Sequence, residues 1–148
     1  MIVGTPVTVR VSHIFSASAE RVFDAWLDPS RLGQWLFATP GGQVVHVEVD
    51  PRVGGSFNVT ERRDGEDWEH IGEFVEIARP TRLVFLFQVP KYGPERDRVT
   101  VEIVPRGNGC EVTITHVLAP ADADMKDGVV KGWTDILAGL ERVIGERS

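Results

Sequence analysis

The pattern of apolar and polar positions divides the chain into an early strand, two short helices, a run of strands and a final helix. Apolar and polar residues alternate over 7–15, which is the period of a half-buried strand. After Ser18 the apolar positions recur every three to four residues, which predicts two short helices before residue 42. Ser18 and the pair Asp28-Pro29 suit the two helix starts, because Ser and Asp are common N-caps and Pro fits a first helical turn.

Six more strands are predicted between residues 42 and 118, because the period is two and turns rich in glycine or proline separate the runs. These predicted strands are 43–50, 56–62, 68–77, 82–89, 96–104 and 111–118. The connections are too short for parallel crossovers, so neighbouring strands are expected to be antiparallel. Over 68–77 both alternation phases carry apolar residues, and the pattern leaves the inner face of that strand undecided.

The run 129–144 predicts one long amphipathic helix, because Val129, Trp133, Leu137 and Leu140 fall on one stripe. Such a stripe is buried when the helix lies on a sheet. The sequence therefore predicts an α+β architecture, with a curved seven-stranded antiparallel sheet, two short helices after strand 1 and a long C-terminal helix across the sheet.

Two glycines, Gly132 and Gly139, lie inside this helix, where each costs about 1 kcal/mol relative to alanine. They could admit a closely packed strand, or they could leave space above the sheet for a ligand.

Several short segments, in this order and spacing, resemble a known family. They are 15–26, Asp28-Pro29, Gln34-Trp35, 50–57, 72–77, 82–85 and Gly132-Trp133. The chain resembles the START/Bet v 1-like (SRPBCC) superfamily and, within it, the group similar to the activator of heat-shock protein 90 ATPase homologue domain. The resemblance covers essentially the whole chain. It implies the helix-grip fold, with an internal cavity between sheet and C-terminal helix that holds small hydrophobic molecules.

Strand alternation and the two helix patterns nominate residues for the wall of that cavity. They are large apolar side chains and one histidine: Trp35, Phe37, Val47, Phe57, Val59, Phe85, Phe87, Val101, Ile114, His116, Trp133 and Leu137. Val45 is expected to share the inward face of its strand with Val47. A filled core built from the same side chains is the alternative.

His116 follows Ile114 by two residues and is expected to point inward. It is either a buried neutral imidazole or a weak candidate for a general acid or base, and no other catalytic residue is nominated. The four histidines lie on four different predicted strands, so neither a metal site nor a cofactor is expected. Cys110 lacks an activating neighbour. The carboxylates near the Asp64-Gly65 turn, Glu61 included, are expected to face solvent.

Composition narrows the class of protein. The 148 residues suit a single domain over 1–148, and the net charge of −6 without a basic stripe excludes nucleic acid as an expected partner. No apolar run approaches the roughly 18 residues of a membrane span, so membrane insertion is not expected. A single cysteine and the lack of a secretory signal favour a cytoplasmic protein. Edge strands of an open sheet make a homodimer possible.

Three functions follow from these patterns. The first is non-catalytic binding of a small hydrophobic or aromatic molecule in the cavity. The second is a cyclase-like or hydrolase-like enzyme that uses the same cavity, as polyketide cyclases of the superfamily do. The third is a protein-interaction module that activates a chaperone ATPase; a chaperone partner is not expected, because the fold already accounts for the large aromatic residues.

Overall fold

The computed structural model describes residues 7–36, 42–119 and 124–145. A short 3-10 turn at Pro90–Tyr92 separates the fifth and sixth strands. The remaining elements, in chain order, are β1 (Val7–Phe15), α1 (Ala19–Ala25), α2 (Pro29–Trp35), β2 (Gln43–Val49), β3 (Ser56–Arg63), β4 (Glu66–Ala78), β5 (Arg82–Gln88), β6 (Asp97–Arg106), β7 (Gly109–Leu118) and α3 (Lys126–Gly145).

The seven strands form one antiparallel sheet in the order β1-β7-β6-β5-β4-β3-β2. The two short helices connect its edge strands, β1 and β2, and α3 packs against β1 and α2. The predicted architecture is therefore confirmed: a curved antiparallel sheet, two short helices after the first strand and a long C-terminal helix.

The predicted helix starts are confirmed at both short helices. The Ser18 side chain accepts a hydrogen bond from the backbone N–H of Arg21 at 3.3 Å, and Asp28 accepts one from Ser30 at 2.9 Å. Each bond satisfies an N–H group that the first helical turn leaves without an intrahelical partner. Pro29 occupies the first turn of α2, where a missing N–H costs nothing.

The core lies between the inner face of the sheet and the helices. Along α3, the side chains of Trp133, Leu137, Leu140 and Ile144 are at most 3% exposed, while Asp135 on another face is exposed. The stripe predicted from the sequence is therefore the buried face of α3. Within 7–36, 42–119 and 124–145, no helix combines the length and apolar character needed to cross a membrane.

The predicted inward position of Val45 is wrong. The pairing of β2 with β3 shifts register between Val44 and His46, and Val45 is 37% exposed. A β-bulge places an extra residue on one strand, so the alternation changes phase there. As a result Val44 and Val47 both lie against α2, beside Gly33.

The structure settles the inner face of β4. His70 and Phe74 are buried, whereas Val75 is 38% exposed. Gly72 lies between them in the same phase, and a Cβ there would overlap the ring of Phe57 and the carbonyl of Leu86. The glycine is thus required by the close approach of an aromatic ring.

Candidate functional site

A pocket of about 720 Å³ lies between α3, α2 and the inner face of the sheet. This volume is within the usual range of small-molecule sites. The described residues that line it come from α2, four strands, the segment after β5 and one face of α3: Gln34, Trp35, Glu61, Arg63, His70, Phe87, Val89, Tyr92, His116, Gly128, Val129, Gly132, Trp133, Asp135, Ile136, Ala138, Gly139, Arg142 and Val143.

Glycines open the helix wall of this pocket. Apart from the backbone of its own helix and its chain neighbours, a Cβ built at Gly128 or Gly132 would meet no described atom within 4 Å, and one at Gly139 would meet only Nη2 of Arg142, at 3.6 Å. No strand packs closely against these positions. Of the two alternatives for Gly132 and Gly139, the structure therefore favours open space above the sheet.

The inner face of the sheet changes from apolar to polar along its strands. On β3 the inward row runs from Phe57 and Val59 to Glu61 and Arg63. His70 pairs with Val59 on β4 and is also buried. The pocket lies at the polar end of this face, whereas the closely packed core occupies the apolar end.

Asp97, His116 and Trp133 form a buried hydrogen-bonded chain across β6, β7 and α3. The indole N–H of Trp133 donates to Nδ1 of His116 at 2.9 Å, and Nε2 of His116 lies 2.8 Å from Oδ2 of Asp97. An indole nitrogen can only donate, so Nδ1 accepts and the proton on Nε2 is donated to the carboxylate. Asp97 also accepts a hydrogen bond from the backbone N–H of Ala119 at 2.9 Å.

This chain fixes the position of one aromatic side of the pocket. His116 and Trp133 both line the pocket, and their side chains are almost fully buried. Because both ring nitrogens of His116 bond within the protein, the imidazole acts as a bridge that orients Trp133.

His70 of β4 lines the pocket at the polar end of the sheet face. Its Nδ1–H donates to the backbone carbonyl of Val59 at 3.1 Å, and its ring stacks on Phe87 with an interplanar angle of 13°. Burial lowers the pKa of His70 below its ordinary value of 6.5, and the bond to Val59 only partly opposes this shift. The imidazole is therefore neutral at pH 7.

Glu61 corrects the expectation that carboxylates near the Asp64-Gly65 turn face solvent. Its side chain is 1% exposed, and its Oε1 lies 2.9 Å from Nε of Arg63. The guanidinium of Arg63 also lies over the Trp68 ring, 4.9 Å from its centroid. Glu61 is buried because it shares the inward phase of Phe57 and Val59, and the neighbouring guanidinium offsets the cost of burying its charge.

Trp35 lines the side of the pocket formed by α2 and belongs to a cluster of three tryptophans. Trp35 packs edge-on against Trp26 with ring centroids 4.8 Å apart, and Trp26 in turn lies 6.1 Å from Trp133. The indole nitrogens of Trp26 and Trp35 are buried without a hydrogen-bond partner among the residues that the structure describes. Trp35 lines the pocket as an aromatic residue, whereas its indole nitrogen is buried within the protein.

The twelve residues nominated from the sequence for the cavity wall lie in different parts of the chain and the interior. Trp35, Phe87, His116 and Trp133 line the pocket. Val47 packs, partly buried, against the core, and Phe37 lies outside the described residues. The remaining six belong to the buried core and not to the pocket wall: Phe57, Val59, Phe85, Val101, Ile114 and Leu137. Ligand contact by any of these residues stays a prediction.

Sequence reasoning did not nominate several charged or polar wall residues, among them Glu61, Arg63, His70 and Arg142. The inward phase of Glu61 was readable from Phe57 and Val59, but its charge favoured a solvent position. Arg142 lies on the polar side of its helix, and only the tertiary structure brings it to the pocket.

The described part of the chain offers neither a cluster of metal ligands nor an activated cysteine. No three His, Cys, Asp or Glu side chains come together there as a metal site would require. Cys110 is buried, and burial, together with the nearby charge of Glu20, raises the pKa of its thiol. A thiol in that state is a poor nucleophile.

Solved structures with the same fold come from several bacteria. Protein CV1439 from Chromobacterium violaceum is 28% identical in sequence, with a TM-score of 0.82 over 91% of this chain and 94% of that one. An AHSA1-like protein from Aeromonas hydrophila is 23% identical, with a TM-score of 0.77 over 95% and 94%. A protein from Rhodobacter sphaeroides is 20% identical, with a TM-score of 0.83 over 99% and 97%. The last two likenesses show the fold alone.

No curated protein matches the sequence significantly. The family described as Activator of Hsp90 ATPase homolog 1-like protein matches residues 16–145. That match runs from the end of β1 to the end of α3 and includes every described residue of the pocket wall. The chain therefore belongs to the Activator of Hsp90 ATPase homolog 1-like family, as the resemblance of its sequence predicts.

Proposed function

We propose that the protein binds a small hydrophobic or aromatic molecule in the pocket between α3 and the sheet, without catalysing a reaction on it. The observation that carries this proposal is the pocket of about 720 Å³ whose helix wall is opened by glycines. Glycines inside a helix reduce its stability, so a reason other than helix formation is needed for them. Space for a ligand supplies that reason.

The pocket combines apolar area with a few polar groups. Trp35, Phe87 and Trp133 offer aromatic surfaces, and Ile136 and Val143 add aliphatic ones. Apolar ligand surface removed from water contributes about 25 cal/mol per Å², less the entropy lost on binding. Glu61 and Arg63, which are paired with each other, supply polar lining.

The hydrogen bonds of His116 support binding without catalysis. A general acid or base must exchange a proton with its substrate, but Nδ1 of His116 accepts from Trp133 and Nε2 donates to Asp97. The cyclase-like or hydrolase-like alternative would have to break this chain before His116 could act.

An interaction with a chaperone, which the family name suggests, has less support. The most exposed large apolar side chains in the described segments lie on different strands or connections, at Ile14, Val53, Tyr92 and Val104. Scattered single residues of this kind are normal on a protein surface. Failure of purified Hsp90 to retain the protein, or to hydrolyse ATP faster in its presence, is the expected result.

A titration with N-phenyl-1-naphthylamine, a neutral dye that fluoresces in apolar surroundings, tests the proposal. We expect saturable fluorescence enhancement with the wild-type protein and its loss in Gly132→Phe, because the new ring would enter open space and fill the pocket. Val130→Phe is the matched control, since Val130 lies on the same helix and is 37% exposed.

Circular dichroism and thermal unfolding show whether both variants fold. Equal dye binding by the wild type and a folded Gly132→Phe, or no dye binding by the wild type, would contradict the proposal. Native mass spectrometry of gently purified protein reports a retained small molecule and the number of subunits together, and so also shows whether the edge strands of the sheet support a homodimer.

A further inference from the structure

The charges of the pocket wall are compensated at every described lining residue but one. Glu61 and Arg63 neutralise each other at 2.9 Å. Asp135 is paired with Nζ of Lys131 at 2.7 Å, one turn earlier on α3. Arg142 is different, because no carboxylate of the described residues lies within 4.0 Å of its guanidinium. Among the described residues, Arg142 is therefore the lining cation without a carboxylate partner.

The guanidinium of Arg142 is held at the rim of the pocket by the local geometry of α3. Side chains of a helix lean toward its N-terminus, so Arg142 covers the preceding turn. Its Nη2 lies 3.6 Å from the position that a Cβ of Gly139 would occupy. Glycine at 139 thus leaves the guanidinium beside open pocket volume instead of beside another side chain.

We propose that the ligand is an amphipathic organic acid, with an apolar or aromatic body in the pocket and a carboxylate at the rim bound by Arg142. This inference rests on the proposed binding function and specifies the chemical class of its ligand. The body lies against Trp35 and Trp133, and the acid group remains near water, where the cost of its desolvation is small.

Electrostatics favours an acid over an amine. A cationic group inside the pocket would find Glu61 already paired with Arg63, and at the rim it would be repelled by Arg142. A carboxylate meets a guanidinium that can donate two parallel N–H groups. Since Arg142 is exposed, solvent and salt weaken the pair, and a preference of about two- to fivefold is expected.

The test compares three ligands of nearly equal shape: 2-naphthylacetate, its neutral amide and 2-naphthylethylamine. Affinities are measured at pH 7.5 by displacement of N-phenyl-1-naphthylamine from the wild type, Arg142→Gln and Arg142→Lys. We expect the wild type to bind the acid about two- to fivefold more tightly than the amide, and the amine most weakly. In Arg142→Gln the acid should fall to the level of the amide, while affinity for the amide stays unchanged.

The control variant is Arg10→Gln, which removes an exposed arginine of β1 that does not line the pocket. Arg10→Gln should keep the preference of the wild type, and Arg142→Lys should retain part of it. Added salt should reduce the preference in all three proteins, and Arg142→Gln should show none to reduce. If the amide and acid bind equally, or Arg142→Gln keeps the preference, the acid-binding role is wrong while the binding function stands. If the amine binds most tightly, the sign of the inference is wrong. If none of the three displaces the dye, or the dye itself does not bind, both proposals fail.

Discussion

The imidazole of His116 connects three elements of the fold, because its two nitrogens bond to Asp97 on β6 and Trp133 on α3. All three side chains are buried, so their hydrogen bonds replace solvation that was lost on folding. Truncating His116 should therefore reduce the stability of the fold, because Asp97 and Trp133 both lose it as a hydrogen-bond partner.

We expect His116→Leu to lower the free energy of unfolding by about 2–4 kcal/mol, because it removes the acceptor of the Trp133 indole and the donor to Asp97. Urea unfolding at pH 7.5 measures the change. His46→Leu serves as the control, since His46 is exposed and bonds only to exposed Glu48 in the described structure. A loss below about 0.5 kcal/mol for His116→Leu would mean that the chain stabilises nothing.

His70 predicts a dependence of stability on pH. Burial lowers its pKa in the folded protein, so below about pH 6.5 the unfolded chain binds a proton that the folded protein does not. The contribution of neutral His70 to the free energy of unfolding is therefore fully present above pH 6.5. It is lost as the pH falls below 6.5 toward the lowered pKa of the folded state. The slope cannot exceed about 1.4 kcal/mol per pH unit for one proton.

Urea unfolding of the wild type and His70→Gln between pH 7.5 and 5.0 measures this effect. The wild type should lose stability on acidification more steeply than His70→Gln. Identical slopes for the two proteins would show that His70 does not titrate differently on folding.

At the scale of elements, α3 is hydrogen-bonded to other elements at several points. Between these points its pocket face has no close neighbour among the described residues. Arg21 of α1 donates to the carbonyl of Ile144 at 2.6 Å, and His13 of β1 bonds to Glu141 at 2.6 Å. Trp133 fixes the other half of the helix through His116. These anchors hold α3 above the sheet while the glycines of its pocket face remain without close neighbours.

Two glycine substitutions should have opposite effects on stability. Gly132→Ala places a methyl group in open space within a helix, so it should raise the free energy of unfolding by about 0.5–1 kcal/mol. Gly72→Ala places one against the Phe57 ring and the backbone of Leu86, and overpacking of this kind costs about 1–3 kcal/mol. Thermal and urea unfolding measure both changes. A loss of stability in Gly132→Ala would show that the space beneath α3 is occupied by the protein itself.

On the scale of the whole molecule, the interior is divided between a packed core and a pocket. The core is built from buried side chains that pack on one another, whereas a ligand in the pocket would touch α2, α3 and the sheet together. A molecule that binds only the folded state stabilises it by mass action, independently of its mechanism.

N-phenyl-1-naphthylamine at about 100 times its dissociation constant should therefore stabilise the wild type by about 2.7 kcal/mol. Differential scanning fluorimetry is unsuitable with a fluorescent ligand, so calorimetry is the measurement. Gly132→Phe should unfold at the same temperature with and without the dye. An equal shift in both proteins would place the bound dye elsewhere than in this pocket.

Much of the fold follows from the sequence alone. Alternation of period two, turns such as Asp64-Gly65 and the caps Ser18 and Asp28 are local signals, so they predict elements and their order. The connections between strands are too short for parallel crossovers, so they predict an antiparallel sheet. The apolar stripe of the last helix, from Trp133 to Leu140, predicts that this helix lies on the sheet. Local patterns failed at Val45, where a bulge changed the phase.

Only the tertiary structure decided how the interior is divided. Whether an inward residue such as Phe85 fills the core or lines a cavity depends on how far α3 lies from the sheet, and no local pattern encodes that distance. The partners of His116 were equally hidden, because Asp97 and Trp133 are brought to it by strand register and helix position. Periodicity determines which side of an element is buried, whereas the distances between elements determine what the buried side chains touch.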